Sequence, residues 1–245
     1  MYKVGICGHF GNNQNLLNGQ TIKTKILVEE LEKHLGQDSI KTIDSYGWKG
    51  NSLLLLYRCY LLIKNCENVI IMPASNGIKV FIPLFSKMNR IFRRKLHYVV
   101  VGGWLSKLLS NNLKLINGLK DFEGIYVETR SMVSDLNKLD LNNIKYLPNF
   151  KQLSILDKSE LVYSHAEPYK LCTFSRVTKE KGIEDAINAV KSVNSSLGKV
   201  VFTLDIYGQI DENYKDLFEK IMKESPCYIS YKGIVNYSDS VDVLK

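Results

Sequence analysis

The sequence predicts an α/β protein made of two successive sets of parallel strands with covering helices. Three observations predict it. Apolar runs of strand length stand at 69–72 and 96–101, with a further strong strand pattern, VVFTLDIY, at 200–207, and strands buried on both faces of a parallel sheet read as continuous apolar runs. Segments with helical apolar spacing, including 22–35, 183–193 and 214–223, alternate with these runs. Pro73, Gly102 and Gly208 stand at or just beyond the ends of the runs, as turn residues do.

Taken in order, residues 2–7 alternate and then turn apolar, which predicts the first strand. Gly8-His9-Phe10-Gly11 follows, then a polar loop over 12–18 and Gly19-Gln20-Thr21. A helix is predicted next, with Ile22, Ile26, Leu27, Leu31 and Leu35 at helical spacing. A strand, a glycine-bearing loop and a helix together form the entry of a nucleotide-type α/β unit. Gly5, Gly8 and Gly11 also fit a Gly-x-x-Gly-x-x-Gly spacing, which suggests a dinucleotide fold. Against this, the loop after Gly11 is long, and Asp44 is the only acidic candidate to close a second strand. Residues 40–43 read as that strand. Residues 53–64 read as a helix that is apolar on nearly all faces and therefore mostly buried. A strand at 69–72 and a helix at 76–87 follow, with Pro83 in position to kink the helix. The strand at 96–101 closes on Gly102-Gly103-Trp104, where open α/β sheets face their ligand. Short strands at 125–127 and 143–147 flank a helix starting at Arg130. Residues 1–150 therefore form one domain and 151–168 a polar linker. Residues 169–245 open a second set: strands at 170–174, 200–207 and 228–231, helices at 183–193 and 214–223, and a further helix starting at Ser238.

Composition narrows the class. The chain has 245 residues, 45% hydrophobic and 24% charged, which is ordinary for a globular protein and argues against disorder. Met1 runs straight into a predicted strand, so no signal peptide is expected. The apolar run beginning at Leu53 is broken by Arg58 and Lys64 and is too short to span a bilayer. The five cysteines are scattered without a Cys-x-x-Cys pair, so neither a disulfide framework nor a zinc site is expected. A cytoplasmic location follows. The net charge is +8, and Lys87, Arg90, Arg93, Arg94 and Lys95 cluster around Met88, Ile91 and Phe92. Such interleaving suits an anionic membrane surface. It also suits a solvated helix end or nucleic acid, although no nucleic-acid motif is present.

Residues 171–186, LCTFSRVTKEKGIEDA, carry the main functional signal. An apolar strand stops at a basic loop and a helix opens, with Arg176 and Lys181 on either side of the turn. A helix N-terminus offers unpaired N–H groups and partial positive charge. With a guanidinium and an ammonium added, it suits a diphosphate. The competing reading is an ordinary solvated βα loop. Ser175-Arg176-Val177-Thr178-Lys179-Glu180-Lys181-Gly182 resembles the Gly-Arg-(three or four residues)-Lys-Gly signature of retaining glycosyltransferases with the GT-B fold, in particular bacterial family 4. Ser175 stands where that signature usually has Gly.

The resemblance implies two Rossmann-like domains, with Arg176 and Lys181 on the donor diphosphate and Gly19 approaching donor phosphate and sugar. It implies Gly208, Lys232 and Gly233 near the nucleotide, through Tyr207-Gly208 and Tyr231-Lys232-Gly233. Leu147-Pro148-Asn149 is similar to the family's exit from its first domain. Gly102, Gly103 and Trp104 stand where many relatives place a sugar-contacting His, so no catalytic His carries over; Glu128 is a candidate acceptor contact. The family's two glutamates, with seven residues between them, have no counterpart before Lys245, so the catalytic residues are unassigned. The expectation is a first domain plus an incomplete, truncated second one, marginally stable or completed by a partner chain.

The implied reaction moves a hexose from a UDP- or GDP-sugar to a hydroxyl acceptor with retention. The resemblance implies that Arg, Lys and helix dipoles stabilise the leaving diphosphate in place of a metal, consistent with Asp135 and 239–242 offering no Asp-x-Asp in a promising place. The implied acceptor is a lipid-linked glycan of capsular or other surface polysaccharide assembly, at the inner membrane face. The alternatives are an inactive remnant or a nucleotide-sugar-binding subunit that needs a partner chain. A further alternative is an NAD-dependent enzyme, for which Tyr228–Lys232 is only a loose Tyr-x-x-x-Lys match.

Overall fold

The computed structural model describes residues 1–11, 19–47, 50–150, 157–160, 166–236 and 239–244. The polar loop expected at 12–18 and most of the expected linker, 151–156 and 161–165, lie outside the described residues. So does Ser238, the expected start of the last helix. The chain divides into two compact units, Met1–Gln152 and Leu153–Lys245.

The first unit runs β1 (Tyr2–Gly8), α1 (Gly19–Leu35), β2 (Ile40–Asp44), α2 (Ser52–Asn65), β3 (Cys66–Ile71), α3 (Ile78–Phe92), β4 (Lys95–Val99), α4 (Leu105–Leu109), α5 (Leu113–Lys120), β5 (Gly124–Val127), α6 (Arg130–Asn137) and β6 (Ile144–Tyr146). Its strands form one parallel sheet in the order β2-β1-β3-β4-β5-β6. Alternate residues of a strand face opposite sides, and the core divides accordingly. Leu96, Tyr98 and Val100 join Cys59, Ile63, Phe81, Phe85, Leu119 and Leu136 in a cluster beneath α2, α3, α5 and α6. Val4, Ile6, Ile40 and Val99 join Val28 of α1 on the other side. Gly5 and Gly8 have packing roles. A Cβ on Gly5 would stand 2.7 Å from Cys66 Sγ, and one on Gly8 would meet Thr24 of α1. Those two positions of the Gly-x-x-Gly-x-x-Gly spacing are thus explained by close helix–strand approach.

Helix α2 corrects an expectation. Only Leu55, Cys59, Leu62 and Ile63 are buried, one stripe at helical spacing. Leu53 is 82% and Tyr57 58% exposed, and Leu54, Leu56 and Tyr60 are exposed too. The helix lies on the outside of the sheet and meets it with a single face, so its apolar outer face is left uncovered. α3 continues through Pro83 to Phe92 and ends with Arg93 in the left-handed region. The Asn89 side chain secures that end, accepting from Arg94 N at 2.6 Å and donating to Arg94 O at 2.8 Å. The Arg94 guanidinium donates to the carbonyls of Ile63 and Lys64, which satisfies the carboxyl end of α2. Arg94 therefore drops out of the free basic cluster, whereas Lys87, Arg90, Arg93 and Lys95 are exposed. Sequence reasoning assigned nothing to α4 and α5; α5 is capped by the preceding Asn112, whose side chain accepts from Leu115 N. No helix among the described residues is long and apolar enough to cross a membrane.

The second unit runs β7 (Tyr169–Phe174), α7 (Ile183–Leu197), β8 (Phe202–Tyr207), α8 (Lys215–Lys223), β9 (Ile229–Gly233) and α9 (Ser240–Leu244). Among the described residues its sheet is three parallel strands in the order β7-β8-β9. Its core gathers Ile183, Ile187 and Val190 of α7, Leu204 and Ile206 of β8, Phe218 of α8 and Ile229 of β9. Asn194 fastens the α7–β8 connection, accepting from the backbone N–H groups of Val201 and Phe202 and donating to Phe202 O.

Candidate functional site

In the second unit the carboxyl ends of three parallel strands meet at Ser175-Arg176, Gly208-Gln209 and Gly233, the edge where open α/β sheets bind ligands. The backbone ties them together. Ser175 N donates to Tyr207 O at 3.2 Å, Gly208 N to Gly233 O at 2.8 Å, Val177 N to Gln209 O at 2.9 Å and Asp211 N to Val177 O at 3.1 Å. Tyr231 Oη donates to Gly208 O at 2.7 Å. Gly208 has φ 137°, and a Cβ there would run into the Ser175 carbonyl. Only glycine lets these two loops meet. Around Gly233, at φ 86°, the space for a side chain is open.

Arg176 is exposed and lines a cavity of about 240 Å³ with Gln209, Ile210, Asp211, Glu212 and Asn213. The buried pair Val177 and Thr178 leads to a single 3-10 turn, Lys179–Lys181, closed by Gly182 at φ 66°. Neither Arg176 nor Lys181 forms an ion pair among the described residues. The Glu180 carboxyl is held below the usual range, first by its own backbone N–H, then by Thr178, with Arg176 and Lys179 adding to the effect.

Two features differ from the expected arrangement. The helix opens after Gly182, with Glu184 and Asp185 already in its first turn, so carboxylates complement its positive end. Glu184 also accepts from Tyr214 Oη at 3.0 Å. Burial first, and then this bond, push the tyrosine's pKa up to about 12. Lys232 turns across the sheet, its Nζ 3.5 Å from Asp205 Oδ1 in β8.

In the first unit a second polar group forms at the carboxyl edge. Lys23 is 3% exposed and donates to Glu128 Oε1 at 2.7 Å and to Val100 O at 3.4 Å. Glu128 Oε2 accepts from Gly102 N at 3.0 Å. Gly102 has φ 87°, and Trp104 Nε1 donates back to Val101 O at 2.8 Å. The expected acceptor contact Glu128 is thus joined to Gly102 and to a buried lysine, while Gly103 stands in open space. Gly19 is the first residue of α1, and a Cβ added there would have no described atom within 4 Å. Beside it, Gln20 Nε2 donates to Met72 O at 2.8 Å, and His9 Nδ1 and Thr21 Oγ1 are 2.7 Å apart. Sequence reasoning missed His9, Gln20, Thr21 and Lys23. Nothing in the local sequence pattern singles them out, since the partners of Gln20 and Lys23 lie 52 and 105 residues further along the chain. Among the described residues no group of three or more His, Cys, Asp or Glu side chains is placed to hold a metal ion.

No family model matches the chain, and no curated protein does. Solved structures do. The lipopolysaccharide outer core galactosyltransferase WaaB matches over 100% of this chain and 70% of its own, at 10% identity and TM-score 0.60. The pneumococcal O-GlcNAc transferase GtfA, solved with UDP and GlcNAc, matches 74% of this chain and 37% of its own, at 20% identity and TM-score 0.55. S. aureus TarM, solved with fondaparinux, alpha-GlcNAc-glycerol and UDP, matches 77% of this chain and 37% of its own, at 19% identity and TM-score 0.54. The fold is that of the GT-B glycosyltransferases. The chain spans well under half the length of TarM and GtfA.

Proposed function

We propose that this chain is a glycosyltransferase that takes a sugar from a nucleotide-diphosphate donor. The observation that carries the reading is Arg176 at the carboxyl edge of β7–β9, exposed and without an ion-pair partner among the described residues, with Lys181 across one tight turn. Two unpaired cations at a strand-end loop suit the two charges of a leaving nucleotide diphosphate, and preorganised stabilisation of developing charge is a large catalytic contribution. Glu184 and Asp185 already complement the end of α7, so the side-chain cations, more than the helix dipole, hold the phosphates. Gly233 leaves space open beside them for the nucleotide, while Gly208 lets the loops after β7 and β8 meet.

The finer reading is transfer of a hexose with retention and without a metal, from a UDP- or GDP-sugar, to a lipid-linked glycan in capsular or related surface polysaccharide assembly. The first unit would then present the acceptor and the second the donor. GtfA and TarM were each solved with UDP, which supports UDP as the first donor nucleotide to try.

Calorimetric titration of the chain with UDP and with GDP tests this, followed by an assay for sugar-nucleotide hydrolysis. Charge-assisted hydrogen bonds contribute about 1.5–3 kcal/mol. Arg176→Ala is therefore expected to weaken the tighter nucleotide by roughly ten- to a hundredfold. An unchanged dissociation constant in that variant removes the diphosphate assignment. Binding without hydrolysis in the wild type favours the second reading, a nucleotide-sugar-binding subunit that works with a partner chain.

A further inference from the structure

The uncovered outer face of α2 joins the exposed end of α3 into one surface. Leu53, Leu54, Leu56, Tyr57 and Tyr60 on α2 and Val80 and Ile91 on α3 are all exposed, Leu53 and Ile91 to 82% and 79%. Single exposed apolar residues need no explanation, but a contiguous group of large ones does. The two helices are packed together at their carboxyl ends. The Tyr60 and Phe92 rings meet edge to face at 5.6 Å, Lys64 Nζ lies 5.9 Å over the Tyr60 ring, and Arg94 bonds the α2 carbonyls.

The charge around this surface is mostly positive, with Asp44 beside Leu54 and Arg58 at one end. Between Asp44 and Asp121 the sequence holds a single carboxylate, Glu67, against twelve lysines and arginines. Arg58 and Lys64 lie on α2, Lys79, Lys87 and Arg90 on α3, and Arg93 and Lys95 directly after it; all are exposed. Aliphatic residues and tyrosines ringed by long basic side chains form the composition of an interfacial helix lying on lipid, with tyrosines at headgroup level and basic residues drawn to anionic lipid.

We propose that the α2–α3 face docks this protein on an anionic bilayer surface. Three considerations select this occupant. Nucleic acid would use the cations but leave Leu53, Leu54, Leu56 and Ile91 without a partner, because backbone contacts are made to phosphate. A second copy meeting the same face by a twofold axis would bring like charges together, which disfavours association. An anionic lipid surface satisfies both the apolar and the basic residues. The amino end of α2 also lies at the carboxyl edge of the first sheet: Leu54 and Arg58 share a cavity of about 140 Å³ with Asp44 and Tyr46, which close and follow β2. A membrane on this face therefore adjoins the first unit's ligand-facing edge. Docking needs no donor nucleotide, so this proposal stands or falls separately from the diphosphate assignment.

The test is flotation of the full chain with vesicles of phosphatidylcholine alone and of phosphatidylcholine mixed with phosphatidylglycerol. Binding to the anionic vesicles only, weakening as salt is raised, is expected. Lys64→Gln and Arg90→Gln are each expected to weaken it about fivefold. Leu53→Ser combined with Ile91→Ser is expected to abolish it with an unchanged melting temperature, since both side chains are already in solvent. Lys223→Gln, on the second unit, is the charge control and is expected to bind as wild type. Failure to bind anionic vesicles overturns the proposal. So does a control as weak as Lys64→Gln, or a self-association in solution that Leu53→Ser dissolves. Displacement from the vesicles by duplex DNA in the wild type with no effect of the Leu53→Ser, Ile91→Ser pair also overturns it, in favour of nucleic acid.

Discussion

At the scale of single residues, Lys23 is a charged side chain almost wholly buried in the first unit. Removing an ammonium from water is expensive and is tolerated only with a close counter-charge and further hydrogen bonds. Glu128 Oε1 at 2.7 Å and Val100 O at 3.4 Å supply these, while Glu128 Oε2 holds Gly102 N. One carboxylate thus links α1 to the loop after β4. Lys23→Met leaves that carboxylate half-buried without its partner. Breaking a buried pair from one side costs about 3–5 kcal/mol, and the 17% exposure of Glu128 puts the expected loss near the lower end. Lys23→Met with Glu128→Gln removes both charges and keeps the acceptor for Gly102, so it is expected to recover more than half of the loss in a urea-denaturation cycle. Additive single losses would mean that the two charges do not support each other. This pair also marks where the sequence stopped being legible. Glu128 is readable as a strand-end polar residue. Its partner lies far away in the chain, and helical spacing alone gives Lys23 no reason to point inward. Arg176, Gly208 and Gly233 were readable because each follows or closes a strand, so local order already places them at the edge.

Elements in the middle of the first sheet were legible where apolar runs are largely buried, as at β3 and β4, because continuous apolar runs have one good solution in a parallel sheet. Helix α2 was not. Periodicity reports how apolar a segment is, and a helix coated with leucines reads as buried whether its outer face meets protein or something else. In β4 the outcome turns on His97. Its Nε2 lies 3.3 Å from Asn68 Oδ1 and its Nδ1 3.3 Å from Tyr126 Oη. Asn68 is itself oriented by donating to Lys3 O, so the neutral ring with its proton on Nε2 fits. Burial lowers the His97 pKa below its ordinary 6.5; Glu123 pulls it up, while Lys145 and Lys95 pull it down further. A histidine with a depressed folded pKa binds protons better when unfolded, so stability rises with pH across its titration. The contribution is complete above 6.5 and is lost as pH falls through 6.5 towards the folded value. The thermal midpoint of the first unit is expected to drop between neutral pH and pH about 5, and His97→Gln is expected to flatten that slope. An equal slope in the variant would place the effect on other groups.

For the whole molecule, two parallel sheets each end in loops at their carboxyl edges, and each sheet has its own core. The clusters around Phe85 and Val28 lie within the first unit and the one around Phe218 within the second, with no residue in common. The second core is small, so each member carries more of it. Phe218 is 1% exposed; its ring meets Tyr231 edge to face at 5.4 Å and Tyr214 at 6.2 Å. Tyr231 in turn donates to Gly208 O and Tyr214 to Glu184, so this one side chain supports both the glycine loop and the start of α7. Phe218→Ala is expected to cost about 3–5 kcal/mol, a large share of the roughly 5–15 kcal/mol that holds an ordinary domain folded. Amide hydrogen exchange on the intact chain reads the result unit by unit. Protection is expected to fall across β7, β8 and β9 while β1, β3 and β4 keep theirs, and nucleotide binding through Arg176 is expected to fall in proportion. Phe218→Leu fills most of the same space and is expected to retain most of the protection. Equal loss of protection in both sheets would mean that the cores unfold as one, and that Phe218 stabilises the whole chain rather than the platform beneath the candidate diphosphate site.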